Sequence, residues 1–271
     1  MRSLEGGEEY LEAFADKKEL IRLDHKMQAG ETEFSQKDIN FIFEQEREIR
    51  NLDTYRKDPR VQELRLYLLE NCKQLKGLEL GGNLDLSYTK IAELPEGLKV
   101  GGSLFLRNTE ITKLPEGLEV GESLNLSHTK ITELPEGLEV GESLNLSRNT
   151  EITKLPEGLK VSDDLNISNT EITKLPEGLE VGGSLDLGHT KITKLPEGLE
   201  VSGDLDIRNT EITELPEGLE VGGDLYLCDT EITELPEGLK VGGNLYLEGS
   251  KITKLPEGLE VGGKIWQDRV Y

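Results

Sequence analysis

Five aspartates in the second half of the chain are the residues whose type and spacing could do chemistry. They are Asp164, Asp186, Asp204, Asp206 and Asp224, among which Asp186 lies twenty residues before Asp206 and Asp204 twenty residues before Asp224. If Asp186 and Asp206 lie on neighbouring strands, their two pKa values would split, as the acid–base pair of a glycosidase requires. Clustered carboxylate oxygens are also the ligands that calcium prefers. An enzyme and a calcium site are therefore the two hypotheses to weigh first.

The other reactive side chains do not complete either kind of site. His128 and His189 lie three repeats apart at strand ends, where other copies have Tyr88, Asn108 or Asn209, so we read them as solvated turn residues rather than ligands. Cys72 and Cys228 are the only cysteines, so a disulfide framework is not supported. We therefore predict a non-enzymatic protein with no cofactor, and we keep structural calcium at the aspartates as an alternative to no metal.

A repeated phrase determines how these residues are positioned. From residue 80 to residue 260 the pattern VGGxLxLxxTxITxLPEGLx occurs nine times with a period of twenty, with one extra residue in the copy at 146–152. A fixed period of this length indicates a solenoid, in which stability comes from stacking of coils that are too small to fold alone.

Each repeat contains a short alternation of polar and apolar residues, typical of a strand with one buried face. The apolar positions begin with Leu84 and Leu86 and recur in every copy, so they predict the core. The proline of LPEG predicts an extended or turn-like return, because proline lacks an amide donor. The VGG segment predicts a turn back into the strand, since positive φ costs glycine little.

Residues 1–79 lack the repeat and read as helical. Ser35 and Asp38, followed by an apolar stripe that runs to Ile49 and Leu52, predict an N-capped helix. Asp58 and Pro59 predict the start of a second helix, and a less regular one is expected over residues 8–28.

The pattern LxLxxTxITxLP resembles the repeat of leucine-rich-repeat proteins, and its length is similar to the short bacterial class found in secreted effectors. The resemblance implies an α+β solenoid: a leucine-rich-repeat horseshoe with a parallel β-sheet on the concave face and an α-helical N-terminal cap. A β-helix-like solenoid is the alternative. The corresponding divisions are a helical cap over 1–79, nine repeats over 80–260 and a partial capping repeat over 261–271.

One departure from that family is systematic. The family's asparagine ladder is replaced by hydroxyl residues, which can also donate to and accept from backbone groups. We expect these hydroxyls to be structural and to point inward. The predicted ladder is Thr89, Thr109, Thr129, Thr150, Thr170, Thr190, Thr210, Thr230 and Ser250.

Outward positions on the strands are where specificity can lie, because side chains twenty residues apart become neighbours. Tyr226, Tyr246 and Trp266 follow one another in the central outward position, where most copies have Asp or Asn. Exposed aromatic residues commonly anchor protein partners. For Trp266 the alternative is that it folds over the open end with Ile265, Val270 and Tyr271. The predicted partner-binding residues are Tyr226, Tyr246, Trp266, Asp186, Asp204, Asp206, Asp224, Arg208 and Phe105.

The net charge of −23 argues against nucleic acid and anionic membranes as partners, since both require a positive surface. A protein with a basic surface fits better, and we expect a monomer. The polar, acidic start MRSLEGGEEY does not read as a signal peptide, and no apolar run approaches a membrane span. Cytoplasmic residence is the default expectation, with export as an effector without a cleaved signal as the alternative.

The sequence thus predicts a protein-protein interaction module that binds through its concave sheet. Two alternatives stay open: a carbohydrate-binding surface on the same aromatic and Asp/Asn residues, and a structural scaffold of duplicated or designed consensus repeats.

Overall fold

The structure, a computed structural model, describes residues 5–44, 59–71 and 75–267. Three helices come first: α1 (Glu5–Gln28), α2 (Gln36–Glu44) and α3 (Pro59–Asn71). Twenty two-residue strands follow, two in each coil of a solenoid. The predicted stripe residues Ile49 and Leu52, the predicted cap Asp58, and Cys72 lie outside the described residues.

The start of α2 carries the predicted capping arrangement. The Ser35 Oγ accepts a hydrogen bond from the Asp38 amide at 3.2 Å, and the Asp38 carboxylate accepts one from the Ser35 amide at 3.0 Å. This reciprocal pair satisfies amides that the first turn of a helix leaves free. Arg22, on α1, forms an ion pair with the same carboxylate, which ties the first two helices together.

The helices share one continuous apolar core with the coils. Leu23, Leu64 and Leu68 are fully buried, and Leu75 and Leu78 carry the core into the first coil. The Gln62 side chain, on α3, also donates to the Asp85 carbonyl at 3.3 Å. The helices therefore cover the end of the solenoid at which the first coil would otherwise expose its leucines.

One sheet, which we call the front sheet, is built from the predicted strands. It is ten-stranded and parallel, and each strand pairs with its counterpart one coil away. Its strands are β2 (Leu84–Asp85), β4 (Leu104–Phe105), β6 (Leu124–Asn125), β8 (Leu144–Asn145), β10 (Leu165–Asn166), β12 (Leu185–Asp186), β14 (Leu205–Asp206), β16 (Leu225–Tyr226), β18 (Leu245–Tyr246) and β20 (Ile265–Trp266).

A second sheet, the back sheet, lies where the sequence predicts only a return path. It is also ten-stranded and parallel, and its inward residue is the valine that begins each VGG segment or its equivalent, with Leu80 in that place in the first coil. Its strands are β1 (Glu79–Leu80), β3 (Lys99–Val100), β5 (Glu119–Val120), β7 (Glu139–Val140), β9 (Lys160–Val161), β11 (Glu180–Val181), β13 (Glu200–Val201), β15 (Glu220–Val221), β17 (Lys240–Val241) and β19 (Glu260–Val261).

Close stacking of the coils explains the glycines after the back-sheet strands. A Cβ built on Gly222 would lie 2.1 Å from the Ser202 carbonyl oxygen of the preceding coil. Here the glycine provides close approach between backbones, whereas the left-handed conformation belongs to the glycine of LPEG, as at Gly198 with φ 72°. The coils thus pack at backbone contact along both sheets.

The predicted core is confirmed in its two front-sheet columns. Leu185, Leu205, Leu225 and Leu245 are completely buried, as are their companions two residues later, apart from Leu247 at 1 % exposure. Burial of a leucine side chain stabilises the folded state by about 1.5–3 kcal/mol relative to exposure. Columns of this kind make the stacking of neighbouring coils the main source of stability.

The hydroxyl ladder is also present, with one correction. In regular coils each threonine Oγ1 donates to the carbonyl three residues earlier, as Thr210 does to Ile207 at 2.7 Å. In the copy with the extra residue, Thr150 is exposed and Asn149 is fully buried in its place. The Asn149 side chain donates to the Leu126 carbonyl at 2.9 Å and accepts from the Thr129 hydroxyl at 3.1 Å.

The insertion therefore follows the ladder position rather than preceding it. Strand pairing passes it without a slip, because Leu144 pairs with Leu165 as their counterparts do in coils of regular length. At the far end of the ladder the Ser250 Oγ is buried and has no hydrogen-bond partner among the described residues.

Candidate functional site on the front sheet

Three outward columns run along the front sheet, and the first of them is structural. It comprises the residue just before each strand, here called the entry column. The Asp204 Oδ1 accepts the Asp224 amide at 2.7 Å, and the Asp224 Oδ1 accepts the Asn244 amide at 2.6 Å. The hydrogen bond from the Asn244 amide lowers the pKa of Asp224. Asp164, Asp204 and Asp224 thus link successive coils, which the sequence alone does not reveal.

The second column, called the central column, contains the outward residue of each strand. In most coils this side chain accepts a hydrogen bond from the backbone amide two residues later. The Asn166 Oδ1 accepts the Ser168 amide at 3.0 Å, and the Asp206 Oδ1 accepts the Arg208 amide at 3.0 Å. Such Asx turns let the strand end in a bend. The same bond is made by Asp85, Asn125, Asn145, Asn166, Asp186 and Asp206.

Asp186 and Asp206 do lie on paired neighbouring strands, as the spacing predicts. Burial raises the pKa of Asp186, and the negative charge of Asp206 adds to that rise. Arg208 lies against Asp206 with its Nε 2.9 Å from both carboxylate oxygens. The negative charge of Asp206 is therefore compensated by Arg208, whereas the raised pKa of Asp186 disfavours its charged form.

Neither histidine side chain makes a hydrogen bond or ion pair with this cluster among the described residues. His128, with φ 56°, lies three coils from Asp186, whereas His189, with φ 59°, follows Asp186 in the same coil and donates its backbone amide to the Arg208 carbonyl at 2.9 Å. In the part of the chain that the structure describes, no group of three or more His, Cys, Asp or Glu side chains could hold a metal ion. The described helices also include none long and apolar enough to cross a membrane.

The aromatic residues replace the Asx turn with a stack of rings. Tyr226 and Tyr246 are 4.6 Å apart between ring centroids and 5° from parallel, and Trp266 continues the stack at 6.3 Å and 4°. The Arg208 guanidinium lies 5.2 Å from the Tyr226 centroid, on the adjoining coil. We call Tyr226, Tyr246 and Trp266 the aromatic ladder.

The ladder is attached to the acidic residues beside it. The Tyr226 hydroxyl donates to the Asp224 carboxylate at 3.2 Å. Burial, together with the charge of Asp224, raises the pKa of Tyr226 to about 12. A ligand at this point meets the edges of the rings and a row of carboxylates.

Stacking decides which surfaces of the rings a ligand can reach. Because Tyr246 has a ring on each side, its two faces are covered, and Tyr226 lies between Tyr246 and Arg208. Trp266 is 44 % exposed, and it occupies the central column because it pairs with Tyr246 on the neighbouring strand. The alternative in which Trp266 folds over the open end involves Val270 and Tyr271, which lie outside the described residues.

Phe105 shares the central column but not the ladder. Its strand pairs with those of Asp85 and Asn125. Six coils separate it from Tyr226, or about 29 Å at the usual strand spacing. The structure therefore brings together Asp186, Asp206, Arg208, Asp224 and the aromatic ladder, and it leaves Phe105 apart.

A third column, the turn column, was recognised from the sequence only as the turn position of the two histidines, and its left-handed backbone was not predicted. It contains the second residue after each buried strand end, which adopts a left-handed conformation with φ between 53° and 71°. The signal for it is the recurrence of residues that tolerate this conformation. Its members are Tyr88, Asn108, His128, Arg148, Asn169, His189, Asn209, Asp229 and Gly249.

The repeat, the stacked parallel sheets, the buried ladder and the N-terminal helices define the class of fold as a solenoid of stacked parallel β-sheets with N-terminal helices. This architecture fits both the leucine-rich-repeat prediction and the β-helix-like alternative. No protein-family model matches the sequence, and a comparison with curated proteins gives no match. Among solved structures, the chain is similar to the leucine-rich-repeat domain of a Shigella effector, at 21 % sequence identity. That comparison covers 68 % of this chain and 80 % of the other, with a TM-score of 0.43.

Proposed function

We propose that this protein is a non-enzymatic interaction module that binds a protein partner through the C-terminal half of its front sheet. The observation that carries this proposal is the exchange at Tyr226 and Tyr246. Six other coils use that position for an Asx hydrogen bond to their own backbone. A tyrosine has no acceptor near the backbone to replace it, so the scaffold does not account for the rings.

The chemistry of the surroundings suggests the kind of partner. Asp206 and Asp224 border the aromatic ladder, and Asp186 lies one coil further along. Because Arg208 already compensates Asp206, it is Asp224 together with the net charge of −23 that favours a partner that presents lysine or arginine. Ring edges and a tyrosine hydroxyl suit contacts with protein side chains and backbone, since aromatic residues bury large area with few rotamers to freeze. Phe105 joins the proposed site only for a partner that spans the front sheet. The other residues of the proposed site are Tyr226, Tyr246, Trp266, Asp186, Asp204, Asp206, Asp224 and Arg208.

The covered ring faces argue against the carbohydrate alternative at Tyr226 and Tyr246, whereas Trp266 is 44 % exposed and has a stacked ring on one side only among the described residues. A sugar ring packs its C–H groups on an open aromatic face, and Tyr226 and Tyr246 offer none between Arg208 and Trp266. A protein partner does not need an open face, because it can bind ring edges and the neighbouring carboxylates.

The test is quantitative capture of binding proteins by the wild-type chain and by Tyr226→Asn/Tyr246→Asn, which installs the residue that other coils carry. We expect the partner to be lost from the variant and retained by Tyr226→Phe/Tyr246→Phe, which keeps the rings stacked. Phe105→Asn makes the same exchange six coils away and measures how far the site extends.

Two results would overturn the proposal. If the folded Tyr226→Asn/Tyr246→Asn variant retained every partner, the rings would have no role in binding, and the structural-scaffold alternative would be favoured. A glycan-array signal that the double Asn variant loses would favour a carbohydrate ligand.

A further inference from the structure

A separate cationic cluster lies at the opposite, N-terminal end of the front sheet. Arg107, His128 and Arg148 belong to three consecutive coils, and they lie along the edge where the strands turn. Arg107 is also close to Tyr88, with its guanidinium carbon 5.7 Å from the ring centroid. Burial lowers the pKa of His128, and the positive charges of Arg148 and Arg107 lower it further, so the three groups share one electrostatic environment.

The arginines of this cluster are available to a ligand. Arg107 and Arg148 are both exposed, and neither forms an ion pair with any residue that the structure describes. Arg208 differs, because it lies in a fork against Asp206.

The central and turn columns beside the cluster carry no carboxylate, although Glu110 and Glu151 follow three residues after the two arginines. From residue 105 to residue 169 the central and turn columns contain no carboxylate, whereas the later coils add Asp186, Asp206 and Asp229. The serine hydroxyls here are already used, as Ser127 donates to Asn125 at 2.7 Å and Ser147 to Asn145 at 2.7 Å. Charge recognition at this end therefore depends on the arginines.

Arg148 also occupies its position against the local preference of the backbone. Five of the nine turn-column positions have Asn, Asp or Gly, which tolerate φ near +60°. Arg148 has φ 60° and Tyr88 has φ 62° without the short polar side chain that stabilises this conformation. Residues that keep such a conformation at a cost are concentrated at functional sites.

We propose that Arg107, His128 and Arg148 bind the carboxylates of an acidic polypeptide segment that lies along this edge of the front sheet. The two arginines are two coils apart, so their backbones are separated by about 10 Å. This spacing forms a row, and it suits two or three side chains of an extended segment better than one small anion. Each guanidinium can bind a carboxylate through two parallel hydrogen bonds.

A polypeptide fits the whole molecule better than a continuous polyanion does. Nucleic acid carries charge along its entire length, and beyond these three coils it would meet a strongly acidic surface. A polypeptide can place its carboxylates at one end only. This proposal stands apart from the binding of a partner at the aromatic ladder, because the two sites share no residue.

The test is titration of the full chain with a peptide of alternating Glu and Gly, followed by NMR of the arginine and His128 side chains. The same peptide with Gln in place of Glu is the ligand control. The variants are Arg107→Gln and Arg148→Asn, and the latter installs a residue that the backbone favours at this position. Arg208→Gln is the matched control on the same sheet.

We expect the Glu peptide to bind and the Gln peptide not to bind. Each of Arg107→Gln and Arg148→Asn should weaken binding by roughly threefold to tenfold, the effect of losing one partly exposed charge-assisted contact. Binding should weaken as salt is added, and Arg208→Gln should leave it unchanged. A thermal melt should show Arg148→Asn to be at least as stable as the wild type.

Four outcomes would overturn the proposal. They are absence of binding to the Glu peptide, equal binding of the Gln peptide, and unchanged binding by both arginine variants. The fourth is evidence for a different ligand at this site. A short oligonucleotide that binds more tightly than the Glu peptide at equal salt would be such evidence, and so would self-association of the chain, measured by sedimentation, that Arg107→Gln abolishes.

Discussion

Tyr226 and Tyr246 stack face to face, 4.6 Å between centroids and 5° from parallel, on paired strands of the front sheet. In most other coils the same position holds an Asn or Asp that closes a turn in its own backbone. The two arrangements have similar energies, since a stacked aromatic pair and a hydrogen bond each contribute about 0.5–1.5 kcal/mol. Stability alone therefore gives no reason to choose the rings.

Tyr226→Asn/Tyr246→Asn should consequently leave the free energy of unfolding within about 1 kcal/mol of the wild type, because the restored Asx bonds offset the lost stacking. Urea denaturation measures this directly. Leu225→Ala is the reference for a structural position in the same strand and should cost about 2–5 kcal/mol. A loss of that size in the double Asn variant would show the ladder to be part of the scaffold.

The irregular coil gives a paired comparison between adjacent residues. Asn149→Ala removes a donor and an acceptor that link two coils in the core, so it should destabilise the fold by about 2–4 kcal/mol. Thr150→Ala lies in the exposed insertion and should change stability by less than about 0.5 kcal/mol. Equal losses from the two substitutions, measured by chemical denaturation, would contradict the assignment of Asn149 to the ladder.

Asp186→Asn should stabilise the protein at neutral pH. Burial and Asp206 raise the pKa of Asp186, so the folded state holds this proton at pH values where the unfolded chain has lost it. Stability is therefore lost as pH rises from the ordinary aspartate pKa through the raised one. The amide removes a like-charge contact worth about 0.2–1 kcal/mol across paired strands, and it keeps the acceptor for the Gly188 amide.

The gain from Asp186→Asn should disappear below the ordinary aspartate pKa of about 3.9, where the carboxyl is neutral in both states. Asn166→Asp, which extends the adjacent carboxylates Asp186 and Asp206 to a run of three on paired strands, should have the opposite sign at neutral pH. Thermal melts of the three chains at several pH values test both points. A gain that is independent of pH would assign the effect to packing.

The Tyr226 phenol should resist ionisation. Its pKa of about 12 means that the folded protein keeps this proton above the ordinary tyrosine pKa of about 10, so stability falls as the pH rises through that interval. The ultraviolet absorbance of phenolate follows the titration, with Tyr226→Phe subtracted as the blank. Asp224→Asn removes the neighbouring charge and should lower the Tyr226 pKa, whereas an unchanged pKa would leave burial as its entire cause.

The front sheet and its core were predictable because alternation with a period of two, repeated every twenty residues, identifies both the strand and its buried face. The back sheet was not, because two residues such as Glu220 and Val221 are too short to show alternation. The LPEG and VGG glycines look alike in sequence, yet one supplies a left-handed turn and the other permits backbone contact between coils.

The candidate site was predictable only in part. Tyr226, Tyr246 and Trp266 were found because their columns depart from the repeat, and the structure stacks them. Asp204 and Asp224 were read as an outward acidic patch, but their oxygens accept amides from the next coil. Thr150 was assigned to the ladder because threonine recurs at that position of the other repeats, whereas in the structure Asn149 occupies the ladder position. In both cases the hydrogen-bond partner lies on the neighbouring coil, about twenty residues away in sequence, so the residues on either side do not predict the contact.

Trp266 is the only tryptophan of the chain, and it ends a column of tyrosines at stacking distance. Light absorbed by Tyr246 should pass to this indole, so the excitation spectrum of the tryptophan emission should contain a tyrosine contribution. The protein thus contains its own optical reporter, since anything that binds against the aromatic ladder should alter the colour or intensity of that emission without an added dye.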